Sequence, residues 1–166
     1  NQFFHTDVYY LKSDIPINDL TDVVLSKNFK FFHIDGSNIN SKQDFYTVIA
    51  QMMEFPSYFG NNLDALIDCL RDLSWNSAAG FFTLFEHYEP LAQADPTFFA
   101  RLIDVIQFSI QDRMRYKFIR NNTITTRFLD FVVPHYFFLR GDPAFVPSNI
   151  KHIQLDVIMR KIQPYK

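Results

Sequence analysis

Three apolar runs along the chain predict three β-strands. Residues 29–34 read Phe-Lys-Phe-Phe-His-Ile and are followed by Asp-Gly-Ser, a pattern typical of a strand that ends in a turn. Residues 80–85 are largely apolar throughout, as expected of a strand that is covered on both faces. Residues 128–133 form the third run, which Pro134 stops.

Between these runs, apolar residues recur at the helical period and predict three helices. The first opens at Ser41 or Asp44 and ends at Pro56, because the residue before a proline is disfavoured in helical geometry. The second follows a Gly-Asn turn and is capped by Asn62. The third begins at residues 95–96, where an Asp-Pro pair suits a helix cap and the first helical position.

This order of elements implies crossover connections between parallel strands. We therefore expect an α/β fold with a small parallel sheet of about three strands flanked by helices. A single domain is predicted over residues 1–166, made of a core and two extensions: residues 28–133, residues 1–27 and residues 134–166. The first extension has a short helix after Pro16, for which Asn18 is the candidate cap. Residues 150–162 fit a helix and a strand equally well.

The second helix carries an acid at every fourth position. Three leucines at helical spacing form its buried stripe, with Ile67 beside them: Leu63, Leu66 and Leu70. Three acids lie near one face of the same helix: Asp64, Asp68 and Asp72. Like charges at this spacing destabilise a helix by about 0.2–0.5 kcal/mol per pair. The helix dipole accounts for the first acid alone, so the stripe is either a solvated face or a surface that meets a positive partner.

Composition and charge limit the classes of protein to which the chain can belong. The chain has 166 residues, of which 48% are hydrophobic, and it is globular in composition with 20 Phe. Residues 1–72 hold ten acids and five Lys or Arg, a net charge of −5, and the whole chain has a net charge of −2. A general nucleic-acid binder would usually show a net basic surface, so we expect no direct binding of nucleic acid.

Several other classes are excluded or disfavoured by single features. One cysteine, Cys69, permits no internal disulfide and favours a reducing compartment. The start of the chain does not read as a signal peptide, and no apolar run is long enough to cross a bilayer. We therefore expect a cytoplasmic protein that does not contact the membrane. No His lies near the acidic stripe, and its carboxylates converge poorly, so neither a metal nor another cofactor is expected.

A basic run after the third helix has two interpretations. It consists of Arg113, Arg115, Lys117 and Arg120. The simpler interpretation is a solvated helix end, where cations suit the helix dipole. The alternative is a patch that binds nucleic acid or an acidic partner.

The segment from Pro56 to Leu70 resembles the signature of the barstar family of ribonuclease inhibitors. That family carries Pro-x-Tyr-Tyr/Phe-Gly-x-Asn-Leu-Asp-Ala-Leu-x-Asp-Cys-Leu, and this chain reads Pro-Ser-Tyr-Phe-Gly-Asn-Asn-Leu-Asp-Ala-Leu-Ile-Asp-Cys-Leu. The strand and helix before the segment and the strand after it agree with the family's order of elements. The resemblance covers about residues 28–133, and residues 56–70 at the level of identity.

The resemblance implies an inhibitor that performs no catalysis. Its acidic helix would occupy the basic active site of a cognate ribonuclease toxin, as an immunity protein of a toxin–antitoxin pair in the cytoplasm. Asp68 would be the central anion. The candidate partner-binding residues are Tyr58, Phe59, Asn62, Asp64, Ile67, Asp68, Asp72 and Trp75.

Three departures from the family pattern favour a partner other than barnase. Ile67 stands at the variable position of the signature where barstar has a tryptophan, the loop after the helix lacks barstar's Gly-Trp step, and no acid matches barstar's outlying contact glutamate. Two alternatives are an interaction module that binds a non-nuclease partner on the same scaffold, and a carboxylate- or metal-dependent enzyme. Metal-dependent stabilisation would distinguish the enzyme from the inhibitor.

Overall fold

The computed structural model describes residues 6–120 and 133–162, with the backbone alone for residues 114–120. Its described strands form one parallel sheet in the order β2-β3-β4-β1-β5. They are β1 (Val8–Lys12), β2 (Lys30–Asp35), β3 (Phe81–Glu86), β4 (His135–Arg140) and β5 (Lys151–Gln154). The predicted class, a parallel α/β sheet flanked by helices, is confirmed, with five strands instead of three.

Helices cover both faces of this sheet. They are α1 (Ile17–Ser26), α2 (Lys42–Met52), α3 (Leu63–Asp72), α4 (Glu89–Ala94), α5 (Pro96–Arg120) and α6 (Leu155–Lys161). Helices α2 to α5 share one apolar core, and α1 and α6 share a second. Strand β3 serves both cores, because successive side chains of a strand point to opposite faces: Phe81 and Phe85 lie in the first, Phe82 and Leu84 in the second.

Three predicted helix starts are confirmed by their caps. The N–H of Asp44 donates to Ser41 Oγ at 3.1 Å at the start of α2. Asn62 caps α3 through its side chain. At the start of α5, the N–H of Phe98 donates to Asp95 Oδ1 at 3.1 Å. Each signal is local, since the cap side chain bonds a backbone group only three residues away.

One prediction about an individual element is wrong, and another falls mostly outside the described residues. Strand β4 begins at His135, and Val133 precedes it. The other residues of the predicted strand at 128–133 lie outside the described residues, so that prediction is not tested. A proline is tolerated at the entrance of a strand, and Pro134 stands there. Helix α1 has Pro16 at its cap position without a side-chain hydrogen bond, so Asn18 is not its cap.

The segments that we treated as extensions complete the sheet. Strand β1 lies between β4 and β5, with Val8 opposite Phe137 and Tyr9 opposite Lys151. Residues 150–162, for which helix and strand were both open, hold strand β5 followed by helix α6. Within the described residues, no helix is long and apolar enough to traverse a bilayer.

Candidate protein-binding site

Helix α3 is fixed at its start by Asn62. The N–H of Ala65 donates to Asn62 Oδ1 at 2.8 Å, and Asn62 Nδ2 donates to the carbonyl of Gly60 at 3.1 Å. Leu66 and Leu70 are fully buried on the face of the helix that packs against the core. The cap closes the preceding loop onto the first turn, so the start of α3 has one defined orientation on the fold.

The three acids of α3 are all exposed, as the helical spacing predicts. The side chain of Asp68 is 76% exposed. Asp72 lies at the last helical position, and its Oδ1 accepts the N–H of Ser74 at 3.2 Å. The stripe of Asp64, Asp68 and Asp72 is therefore available to a partner along the whole length of α3.

An arginine within the stripe makes this face less acidic than the sequence suggests. Arg71 Nη2 donates to Asp68 Oδ1 at 3.2 Å, and Arg71 Nη1 donates to Asp112 Oδ2 on α5 at 3.0 Å. We define this row of Asp68, Arg71 and Asp112 as the ion chain. The pair of Asp68 and Arg71 could have been predicted from the sequence, because residues three apart are neighbours on a helix. The pair of Arg71 and Asp112 depends on how α3 packs against α5.

A buried arginine holds the end of α3. The guanidinium of Arg113 donates through Nη1 to the carbonyls of Leu70, Arg71 and Asp72 at 3.2, 3.2 and 2.8 Å. These carbonyls belong to the last turn of the helix, where no backbone N–H of the same helix is available to donate to them. Burial lowers the pKa of Arg113 to about 10, and the nearby Asp72 opposes that change. The interpretation of Arg113 as part of a solvated helix end is therefore wrong.

The loop before α3 combines one exposed tyrosine with an aromatic cluster. Tyr58 is 79% exposed. Phe59 packs edge-on against Phe55 and Tyr46, with ring centroids 4.9 and 6.0 Å apart. Phe55 also packs against Trp75, at 6.1 Å. Tyr58 therefore projects to solvent from a loop that its aromatic neighbours hold in place.

Trp75 links the loops on either side of α3. Its Nε1 donates to the carbonyl of Met53 at 2.8 Å, and Nδ2 of Asn76 donates to the same carbonyl at 2.9 Å. Phe59 and Trp75 are both half-buried, so each has a structural contact besides its predicted role toward a partner. That role remains a prediction for every candidate residue.

Two residues of α3 lie between core and surface. Ile67 is half-buried, and Cys69 is buried. Burial, together with the smaller effect of the neighbouring Asp68 and Asp72, raises the pKa of Cys69 to about 11. A thiol in this state is protonated and packs as a small apolar group. Within residues 6–120 and 133–162, no group of three His, Cys, Asp or Glu side chains could hold a metal ion.

A second charged cluster, not predicted from sequence, lies at the carboxyl ends of β2, β3 and β4. Glu86 contacts His33 Nε2 at 3.0 Å and Arg140 Nε at 2.8 Å. Burial by itself raises the pKa of Glu86, but the hydrogen bonds and charges of Arg140 and His33 outweigh it and lower that pKa. Arg140 also donates to the carbonyls of Ser13 and Ile15. These bonds join β2, β3 and β4 to the segment that follows β1, which fits a structural role.

Comparison with known proteins gives a family match and structural matches at low sequence identity. Residues 29–124 match the model of the family described as Barstar (barnase inhibitor). No curated protein matches the chain. A solved structure of the Aeropyrum pernix ORC2 protein, in ADPNP and ADP complexes, has 10% sequence identity and a TM-score of 0.47. That match covers 95% of this chain and 40% of the ORC2 chain, so this chain spans well under half of that structure.

Proposed function

The chain belongs to the barstar family, and we propose that it inhibits a cognate ribonuclease toxin by placing helix α3 in the enzyme's basic active site. One observation carries the proposal. Asp64 and Asp68 are exposed on the segment that matches the family signature, and Asp72 is exposed one turn further along the same helix. Tyr58 projects from the loop immediately before that helix.

The chemistry of the stripe suits a site that binds phosphates. A carboxylate offers two oxygens to a guanidinium fork in much the same planar geometry as a phosphate does. Cations that hold the RNA backbone in a ribonuclease would therefore accept the acids of α3 instead. Charge complementarity of this kind also speeds encounter between the two proteins. The barnase–barstar pair is a standard example of that effect.

The proposed inhibitor works by occlusion and needs no catalytic group. The thiol of Cys69 is buried and its pKa is raised. The acids of α3 are exposed to solvent on one face of the helix. Such a surface blocks the active site of another protein more readily than it builds one of its own. Its role in the cell would be immunity, protecting the cytoplasm from the toxin.

The partner can be identified by capture from the native cell with the full chain as bait. The proposal expects a captured protein that cleaves RNA, and cleavage that falls when the purified chain is added in excess. A captured partner without ribonuclease activity would contradict the proposal and favour the interaction module. A ribonuclease that remains fully active in the complex would contradict inhibition by occlusion.

A further inference from the structure

The ion chain places a positive charge inside the surface that is proposed to meet a cationic cleft. Arg71 follows Asp68 by three residues, and its guanidinium contacts the carboxylate of Asp68 at 3.2 Å. The side chain of Arg71 is 24% exposed. A cation that approaches Asp68 from a partner therefore meets a neighbouring guanidinium as well as the carboxylate.

Arg71 is held more firmly by Asp112 than by Asp68. Its contact with Asp112 is shorter, at 3.0 Å, and the Asp112 side chain is 14% exposed, against 76% for Asp68. Solvent screens an exposed ion pair more strongly than a sheltered one. A partner can thus compete for Asp68, while Arg71 remains beside it on the bond to Asp112.

We propose that Arg71 is a specificity residue of this inhibitor, which disfavours clefts that present only cations around Asp68. The inference rests on the proposed function and concerns the same helix. Unlike charges attract across an interface, and like charges placed opposite each other are strongly unfavourable. A repulsive element of this kind discriminates between partners at some cost in affinity for all of them.

The ion chain also defines the chemistry of the favoured partner. Its cleft presents a cation to Asp68 and, beside it, a hydrogen-bond acceptor to Arg71. That acceptor is a carboxylate or a backbone carbonyl, because a guanidinium donates hydrogen bonds and accepts none. A ribonuclease whose cleft is cationic throughout lacks this acceptor and binds less tightly.

Barnase serves as the probe, since it is the ribonuclease named for the family. Titration calorimetry at one fixed, low salt concentration compares the full chain with three variants: Arg71→Gln, Arg160→Gln and Asp68→Ala/Arg71→Gln. Arg160 is the matched control. Arg160→Gln removes the same positive charge as Arg71→Gln does. Arg160 lies on α6, across the sheet from α3, and its ion pair with Asp156, at 3.6 Å, is exposed.

The inference expects Arg71→Gln to bind barnase about tenfold more tightly than the wild type. Arg160→Gln should leave the affinity unchanged, and the gain should vanish when Asp68 is also replaced. An unchanged or weaker affinity of Arg71→Gln would overturn the inference. So would an equal gain in Arg160→Gln, a gain that persists without Asp68, or no detectable binding by any variant.

A second variant keeps the test open if Arg71→Gln does not fold. Asp112→Asn removes the second partner of Arg71 and so releases the guanidinium toward Asp68. The control is Asp104→Asn, which removes an exposed acid from the same helix. We expect Asp112→Asn to weaken the binding of barnase more than Asp104→Asn does. Equal effects of the two variants would overturn the inference. A different result would contradict the proposed function itself: an unchanged affinity of Asp68→Ala for the captured ribonuclease.

Discussion

Asp68 carries an exposed carboxylate that already has a weak partner inside its own helix. Arg71 contacts it at 3.2 Å, yet 76% of the side chain stays exposed. An exposed pair at this spacing contributes about 0.3–0.5 kcal/mol, so a partner's cation has little to overcome in displacing it. The sequence identifies Asp68 through the family signature, and the structure adds the charge that modifies it.

His135 is a buried histidine that contributes a pH dependence to stability. Its Nε2 and Thr83 Oγ1 are 2.8 Å apart, and the ring lies near Phe81 with centroids 5.6 Å apart. Burial, together with the smaller effect of the charge of Arg113, lowers the pKa of His135 to about 3. The folded protein therefore keeps this imidazole neutral over a range in which the unfolded chain binds a proton.

We expect the free energy of unfolding to fall as the pH drops below the ordinary histidine pKa of about 6.5. Between that pKa and about 3, the unfolded state holds one more proton at this site, so stability rises with pH. Urea unfolding at pH 7 and pH 5 should show that the wild type loses about 2 kcal/mol more than His135→Gln does. Equal losses in the two proteins would contradict a neutral, buried His135.

Helix α3 is fixed at both ends by side chains from different sources. Asn62 caps its start from the adjoining loop, and Arg113 binds three carbonyls of its last turn from α5. The guanidinium carbon of Arg113 also lies 5.3 Å from the ring centre of Phe81, on β3. The acidic stripe thus has a fixed direction relative to the sheet, which lowers the entropy lost on binding.

Replacing Arg113 with methionine should destabilise the protein and loosen the end of α3. The change leaves carbonyls of Leu70, Arg71 and Asp72 without their donor, at a cost of about 2–4 kcal/mol. Hydrogen exchange should speed up in the last turn of α3 more than in α2. Arg101→Met, at an exposed position of the same helix, should change stability by about 0.5 kcal/mol or less. Equal effects of the two variants would contradict the capping role.

The helices could be predicted from sequence more fully than the contacts between them. The start of α3 is encoded by Asn62 and by leucines at helical spacing, and these signals act within one or two turns. Arg113 lies about 40 positions from the carbonyls that it binds, as the hydrogen-bond separations show. A run of basic residues at the end of a helix gives no sign that one of them turns inward.

At the scale of the whole molecule, the sheet depends on pairing between distant segments. Strand β1 pairs with β4 on one side and β5 on the other. Of the five strands that the structure describes, residues 28–133 contain β2 and β3. The apolar patterns predicted β2 and β3, but the position of β1 could not be predicted from its own short sequence, because strand order is a non-local property.

A fragment of residues 28–133 should therefore fail to fold on its own. It lacks β4, against which β3 packs, and the two strands that follow β4 in the sheet. Two strands with one face uncovered are rarely stable in water. Circular dichroism in urea should show a cooperative transition for residues 6–162 and none for the fragment. A cooperative transition in the fragment would show that the shorter segment is an independent domain.

The most direct test of the account is the affinity of Asp68→Ala for the captured ribonuclease, measured by titration calorimetry. Asp22→Ala is the control, since it removes the same charge from an exposed position of α1, on the other face of the sheet. We expect Asp68→Ala to weaken the complex by about 2–5 kcal/mol, because the opposing cation loses its partner, and Asp22→Ala to change it by about 0.5 kcal/mol or less. An unchanged affinity of Asp68→Ala, or an equal loss in the two variants, would contradict the claim that α3 is the inhibitory surface.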